Sequence, residues 1–397
     1  MRPTTNALLV LLVLAGIAST VLLSGQAMHD GQTPEPTAKR LREEGWWPTK
    51  AEASRKDYAG TEACAGCHQE KVLKQQQSAM AQAASRASET ELLRSNSKIS
   101  LANPPFLTEI SRSREGSTYT VARGGVAESG RLTWSMGHGA IGQTFILESG
   151  GTLFESQLTY FPSIHALDIT PGHTPSAPTD LEHAFGERQS PDKAQHCFAC
   201  HTTASSVKRQ FDPAHATPGI TCEACHGPGA QHVQAMQDHQ DKAQMAIVDP
   251  ILNPGSFSPV KLVDFCGACH RAPMDVATAK DYVPINIRFQ PYRLSKSRCW
   301  SQPDARITCV ACHDPHEPLV QDSAFYDAKC LACHASGSAG KSTGSRSLSA
   351  ANTLPGCPVS ASHCASCHMP RYKVPQMHGS FTDHDIRIVR PGDPYPL

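Results

Sequence analysis

The chain has 397 residues, of which 39% are hydrophobic, 6% aromatic and 18% charged, and its 36 basic and 36 acidic side chains cancel. Balanced charge without a basic patch argues against nucleic acid as a partner and for a soluble protein that meets its partners through local charge. The apolar fraction is thin for a chain of this length, whereas 16 cysteines and 20 histidines are many.

In chain order, Arg2 precedes an apolar run from Ala7 to Leu23, and Gly25-Gln26-Ala27 supplies a small-residue cleavage site. Residues 1–27 are expected to be a secretory signal peptide or, since the run is 17 residues long, an N-terminal anchor at the lower limit for spanning a bilayer. Either reading places the remainder outside the cytoplasmic membrane, in the periplasm or beyond. Residues 28–56 are rich in Pro, Glu, Lys and Arg without apolar periodicity, which suits a linker. Residues 57–397 are expected to form one domain.

That domain opens with Cys64-Cys67-His68 and a helix in which Val72, Leu73 and Met80 share a face. Residues 104–162 then change character. Short β-branched and apolar runs alternate with turn signals at Glu115-Gly116, Ser129-Gly130 and Gly150-Gly151, which predicts a small inserted antiparallel β unit. The Cys-x-x-Cys-His pattern resumes at Cys197-Cys200-His201, Cys222-Cys225-His226, Cys266-Cys269-His270, Cys309-Cys312-His313, Cys330-Cys333-His334 and Cys364-Cys367-His368. Residues 335–352 are a Ser/Gly-rich stretch expected to be a flexible loop. Cys299 and Cys357 fall outside the motifs, and an oxidising compartment favours pairing them as a disulfide.

Seven copies of Cys-x-x-Cys-His decide the chemistry. Two thiols at this spacing bond one porphyrin, and the adjacent histidine ligates its iron. Zinc ribbons pair Cys-x-x-Cys but do not require a histidine after every second cysteine. Seven c-type haems are therefore the expected cofactors. Successive first cysteines from Cys197 onward are 25, 44, 43, 21 and 34 residues apart. This leaves little room for a separate apolar core, so the porphyrins are expected to be the core. The short interval between the second and third motifs predicts that haems 2 and 3 are neighbours.

Of the 20 histidines, 13 lie outside the motifs and are available as sixth iron ligands. His232 is favoured because Gly227-Pro228-Gly229 turns the chain just before it, with His239 as fallback. His316 in Cys-His-Asp-Pro-His lies too close to cross its own haem and would serve a neighbour. His378 and His384 follow the last motif, and Asp383 or Asp385 would orient His384 through its second nitrogen. Met80 and His138 are further candidates, and a Met ligand would raise that haem's potential. His196, His363, His173 and His183 rank lower; His29, His165 and His215 have no expected role.

The segments YAGTEACAGCH, CFACHTT, GITCEACHGPGAQHV, ITCVACHDPH and CASCHMPRYKVPQMHGSFTDH resemble the multihaem cytochromes of the cytochrome c-552/c-554 type. The resemblance implies a mainly α, haem-packed fold with few strands beyond the β insertion. It also implies largely bis-histidine haems and an electron-transfer role outside the cytoplasm with redox protein partners. By position, His232, His316, His378 and His384 match histidines that recur in such proteins. Met80 departs from the pattern, which often has histidine there. Related multihaem enzymes act on small nitrogen compounds, so an oxidoreductase of a nitrogen or sulfur compound with one open haem is the alternative. No Cys-x-x-Cys-Lys of the related nitrite reductases occurs in the sequence.

Overall fold

The computed structural model describes residues 53–208, 210–240, 250–277, 285–297, 299–300, 307–334, 357–390 and 392–395. The expected signal or anchor, nearly all of the linker and the loop at 335–352 lie outside them. Helix α1 (Thr61–Gln76) carries the first motif. Beyond it come strand β1 (Ala84–Arg86), helix α2 (Glu91–Ser95) and the strands β2 (Lys98–Asn103), β3 (Phe106–Ser113), β4 (Gly116–Arg123), β5 (Val126–Met136), β6 (Gln143–Ser149), β7 (Thr152–Phe161), β8 (Ala166–Ile169) and β9 (Gly186–Arg188).

These nine strands form one antiparallel sheet in the order β2-β3-β4-β5-β6-β7-β8. Strand β1 pairs with β5 at Trp134–Met136, beyond the end of β4, and β9 pairs with β7 at Phe154–Ser156, beyond β8. Strand β2 approaches β8, so the sheet nearly closes on itself. Two of its hairpins turn on glycine pairs with positive φ, Gly124-Gly125 (55° and 84°) and Gly150-Gly151 (54° and 74°). A two-residue turn that matches the strand twist requires that left-handed backbone. Gly130, expected at a turn, instead lies inside β5; a Cβ there would stand 2.8 Å from the Phe185 ring. The glycine serves close approach, not a reversal.

The sheet encloses its own apolar core. Alternate positions of β3 and β4 (Phe106, Ile110, Tyr119, Val121) meet Leu132, Phe145, Leu147, Phe154 and Leu158 from β5 to β7. Helix α3 (Leu181–Phe185) drops Phe185 into the centre, edge-on to Tyr119 at 5.9 Å and to Phe154 at 5.2 Å. The expected mainly α fold is therefore corrected: among the described residues the structure is 37% helix and 26% strand, and its largest element is the nine-stranded sheet. The β unit is not small either, since its strands run from Ala84 to Arg188. Haem motifs constrain only the few residues around them, and the long interval between the first two motifs was free to fold on period-2 burial. Nor do porphyrins replace the whole core, because this cluster is built from side chains alone.

The outer face of the same sheet meets the haem-motif region. Ala84, Trp134, Met136 and Ile146 pack with Phe198 of helix α4 (Pro191–His201), and the Trp134 and Phe198 rings lie 5.1 Å apart at 84°. Ser190 caps α4 by accepting from the Lys193 amide, with Pro191 in the first turn, the usual partition of cap and proline at a helix start. Helices α5 (Cys222–His226), α7 (Pro259–His270), α9 (Cys309–Cys312), α10 (Ser323–His334) and α11 (Cys364–His368) then carry the remaining motifs, with α6 (Ala230–Gln240) and α8 (Gln290–Ser295) between them. The hairpin of β10 (Arg371–Val374) and β11 (Gly379–Thr382) follows. Among the described residues no helix is long and apolar enough to cross a membrane.

Candidate haem centre

Every motif has its cysteines on a short helix, and in α4, α5, α7, α10 and α11 the motif histidine is the last helical residue. Positions i, i+3 and i+4 fall on one helix face, so both thiols and the imidazole point the same way. Three of the motif imidazoles are also held in one tautomer. His201 Nδ1 donates to the Ala83 carbonyl at 3.0 Å, His226 Nδ1 to Leu252 at 2.8 Å and His368 Nδ1 to Arg387 at 2.8 Å. A carbonyl only accepts, so Nδ1 carries the proton and Nε2 presents its lone pair. This is the arrangement an iron-bound histidine needs, and the residues fit haem.

Motifs far apart in sequence meet through their cysteines. The Cys64 thiol lies close to that of Cys222, Cys200 to Cys269, and Cys266 to Cys309. Cys225 packs with Cys266 and Cys269 beside Phe265 and Ile220. Cys330 lies close to Cys364 and near Cys312. Motif 1 thus borders motif 3, motif 3 borders 4, and motif 4 touches both 2 and 5; motif 6 touches 7 and neighbours 5. Motifs 2 and 3, expected to pair, are tied through backbone: the Thr203 hydroxyl donates to the Gly219 carbonyl and accepts from the Thr221 amide, each at 2.9 Å. The thiols of Cys200 and Cys222, however, lie close to cysteines of motifs 4 and 1.

Two buried carboxylates lock these meetings. Glu223, between the cysteines of motif 3, accepts from the amides of Ala59 (2.7 Å), Gly60 (2.9 Å) and Gly229 (2.8 Å), which pins the start of α1 against α5. Asp327, three residues before Cys330, accepts from the amides of His363 (2.6 Å) and Cys364 (2.8 Å). Neither acid was singled out in the sequence, because a lone Glu or Asp beside a motif carries no periodic signal.

The candidate sixth ligands divide. Two imidazoles on one metal, with metal–nitrogen distances of about 2 Å, place their ring centres about 6 Å apart. The His316 and His226 ring centres lie 6.0 Å apart with planes at 16°, and those of His384 and His313 lie 6.3 Å apart at 42°. His316 Nδ1 is held by Asp314 at 3.0 Å. His384 Nδ1 donates to the Thr382 carbonyl at 3.1 Å, not to Asp383 or Asp385 as expected. Burial pushes the His384 pKa down to about 4, which keeps the ring neutral. Asp383 instead binds Arg293 and Arg387, and Asp385 lies within 3.4 Å of Arg293.

His378 is oriented differently: its Nε2 meets the Asp168 carboxylate of β8 at 2.7 Å and its ring lies 4.7 Å from Phe161. Met80 packs against the cluster of Ile220, Ala224, Phe265 and Ala268, at motifs 3 and 4. Leu73, expected on its face, is 54% exposed. His138 is exposed in the β5–β6 loop. His232 is half-buried on α6, within electrostatic reach of His226 as His68 also is; the side chain of His239 lies outside the described residues. His173 is engaged by Gln157 and Glu155, His183 by Asp180, His215 by Asp212 and His196 by Arg271. Cys299 and Cys357 are not joined in a disulfide.

Thiol pairs and a tautomer-fixed histidine, repeated along one chain, define a c-type haem protein. A family model described as cytochrome c554 and c-prime matches residues 165–227. The chain is 24% identical over 221 residues to the multiheme cytochrome MtrA of Shewanella baltica (strain OS185), which covers 52% of this chain and 53% of that protein. It thus spans about half the length of the curated relative it matches. Among solved structures, the outer cell wall cytochrome OcwA covers 84% of this chain and 80% of its own at 16% identity and a TM-score of 0.44. The protein is a multihaem c-type cytochrome, and c-type haem is its cofactor.

Proposed function

We propose that this chain is an extracytoplasmic electron-transfer cytochrome that carries seven covalent haems, one at each motif, and exchanges electrons with redox protein partners. The observation that supports it most is the series of thiols that lie close to one another across motifs, Cys64 with Cys222, Cys200 with Cys269, Cys266 with Cys309 and Cys330 with Cys364. Porphyrins bonded at such cysteines would be neighbours, so the motifs would trace a continuous path. Its order is 1-3-4-5-6-7, with 2 attached at 4. Residues 57–397 are the haem domain, with residues 1–27 as export signal or anchor and 28–56 as linker.

The haems, when bound, supply one-electron chemistry. The chain's part is to hold and tune them. His226 with His316, and His313 with His384, are the two histidine pairs whose ring separations best suit holding one haem iron. An iron held by two imidazoles would carry electrons and offer no position to substrate. His378, spent on Asp168, is left out of this set, and Met80 and His138 are not assigned as ligands. His232 is assigned as a distal ligand in the neighbourhood of motifs 1 and 3.

Intact-protein mass spectrometry is expected to show seven covalent haems, and EPR of the oxidised protein only low-spin signals. Fewer haems would overturn the count. A high-spin haem that shifts on adding nitrite or hydroxylamine would replace the carrier by the oxidoreductase reading.

A further inference from the structure

Of the six described arginines that are not exposed, three meet an acid, and Arg86 donates to the carbonyls of Pro213, Ala214 and Ala216. Arg293 has Asp383 and Asp385, Arg387 shares both, and Arg55 has Asp212. Arg271 and Arg288 depart from this. Arg288 ends the 3-10 turn Ile285–Arg288 and is half-buried; its Nη1 donates to the Met377 sulfur at 3.4 Å, and its guanidinium lies 5.4 Å from the Phe381 ring. Arg271 directly follows His270 with a left-handed backbone (φ 68°), and its Nη1 donates to His196 Nε2 at 3.4 Å. Among the described residues neither forms an ion pair, and neighbouring Asp275 spends its Oδ2 on the Ala272 amide at 2.8 Å.

Their location is specific. Arg271 adjoins His270 of motif 4 and donates to His196, beside Cys197 of motif 2, and its guanidinium lies 6.0 Å from the ring of Phe289, next to Arg288; both cations, with the Glu155 carboxylate, act on His201, and Arg288 acts on His270. The two arginines also repel each other. Paired cations whose only acceptors are a thioether and a ring nitrogen are costly to bury unless an anion completes them. A guanidinium fork matches a carboxylate in particular. Any porphyrin bonded at motif 2 or motif 4 brings two carboxylates into this neighbourhood.

We propose that Arg271 and Arg288 form the receptor for the propionate carboxylates of the porphyrins at motifs 2 and 4. The inference rests on the haem assignment above and adds what tunes its branch point. Positive charge beside these two porphyrins favours the reduced iron, so the junction of motifs 2 and 4 sits at a higher potential than it would otherwise have.

The test is spectroelectrochemical titration of full-length holoprotein, wild type against Arg288→Gln and Arg288→Lys, after counting haems by mass. Arg288→Gln is expected to move a two-haem share of the titration to more negative potential, whereas Arg288→Lys stays near wild type. If Arg288→Gln loses haem, Arg271→Gln gives the same reading. A charge-removing variant with all its haems that superimposes on wild type overturns the proposal. So does Arg288→Lys moving as far as Arg288→Gln, since packing would then be the cause. Nitrite or sulfate that shifts the wild-type curve but not that of Arg288→Gln would assign the site to a free oxyanion instead. A wild-type protein lacking haem at motif 2 or 4 would defeat the haem assignment itself, a separate outcome read from the mass alone.

Discussion

The Arg293 guanidinium grips the Asp383 carboxylate through two hydrogen bonds of 2.8 Å, with both side chains fully buried. Asp383 immediately precedes His384 and also binds Arg387 at 2.7 Å. Removing one partner of a buried pair strands the other charge, at a cost of about 3–5 kcal/mol. Asp383→Asn is expected to lower unfolding stability by that amount and to convert part of one low-spin EPR signal to high spin as His384 loosens. Burial raises the Asp383 carboxyl, but Arg293, the Asp385 amide and Arg387 bring it below its ordinary 3.8. A depressed carboxyl stabilises above its unfolded value, so this contribution is present at neutral pH and lost as pH falls below 3.8. Acid unfolding monitored on wild type and Asp383→Asn should converge at the acid end.

Glu223 ties motif 1 to motif 3. Glu223→Gln would set an amide N–H₂ against at least one backbone N–H that now donates to a carboxylate oxygen. Each amide left unsatisfied costs about 1–3 kcal/mol. The expected result is faster hydrogen exchange at Ala59 and Gly60, with the nine-stranded sheet unaffected.

Two histidines separate the ligand assignment cleanly. His316→Leu is expected to leave a five-coordinate haem at motif 3 and add a high-spin EPR signal. His378→Leu should leave the EPR spectrum unchanged and instead lower stability through the lost Asp168 contact. The reverse pattern would exchange their roles.

The enclosed sheet core predicts behaviour without haem. Chain whose motif cysteines are replaced by serine should keep a β-type far-UV circular dichroism signal and a cooperative unfolding transition. Phe185→Ala in that background should cost about 3–5 kcal/mol, the price of a large cavity, because Phe185 is fully buried among Tyr119, Phe154 and Gly130.

By itself, the sequence determined the chemistry of this protein: Cys-x-x-Cys-His is a local pattern whose spacing follows from one porphyrin and one iron, and it is legible in any fold. The runs Thr118–Val121, Leu132–Met136 and Thr144–Leu147 likewise announced strands, because period-2 burial needs only neighbours in the chain. Which motif stands beside which was decided by tertiary structure alone. Cys64 reaches Cys222, and His384 reaches His313, across long stretches of intervening chain. Such meetings depend on helix packing and on buried carboxylates such as Glu223 and Asp327, which no local pattern records. The same holds for the size of the sheet, since β1 and β9 are three-residue strands that exist only because β5 and β7 offer them an open edge. And His378 and His384, six residues apart and equally plausible as ligands on paper, were parted by where their nitrogens find partners: Asp168 on the sheet for one, the Thr382 carbonyl for the other.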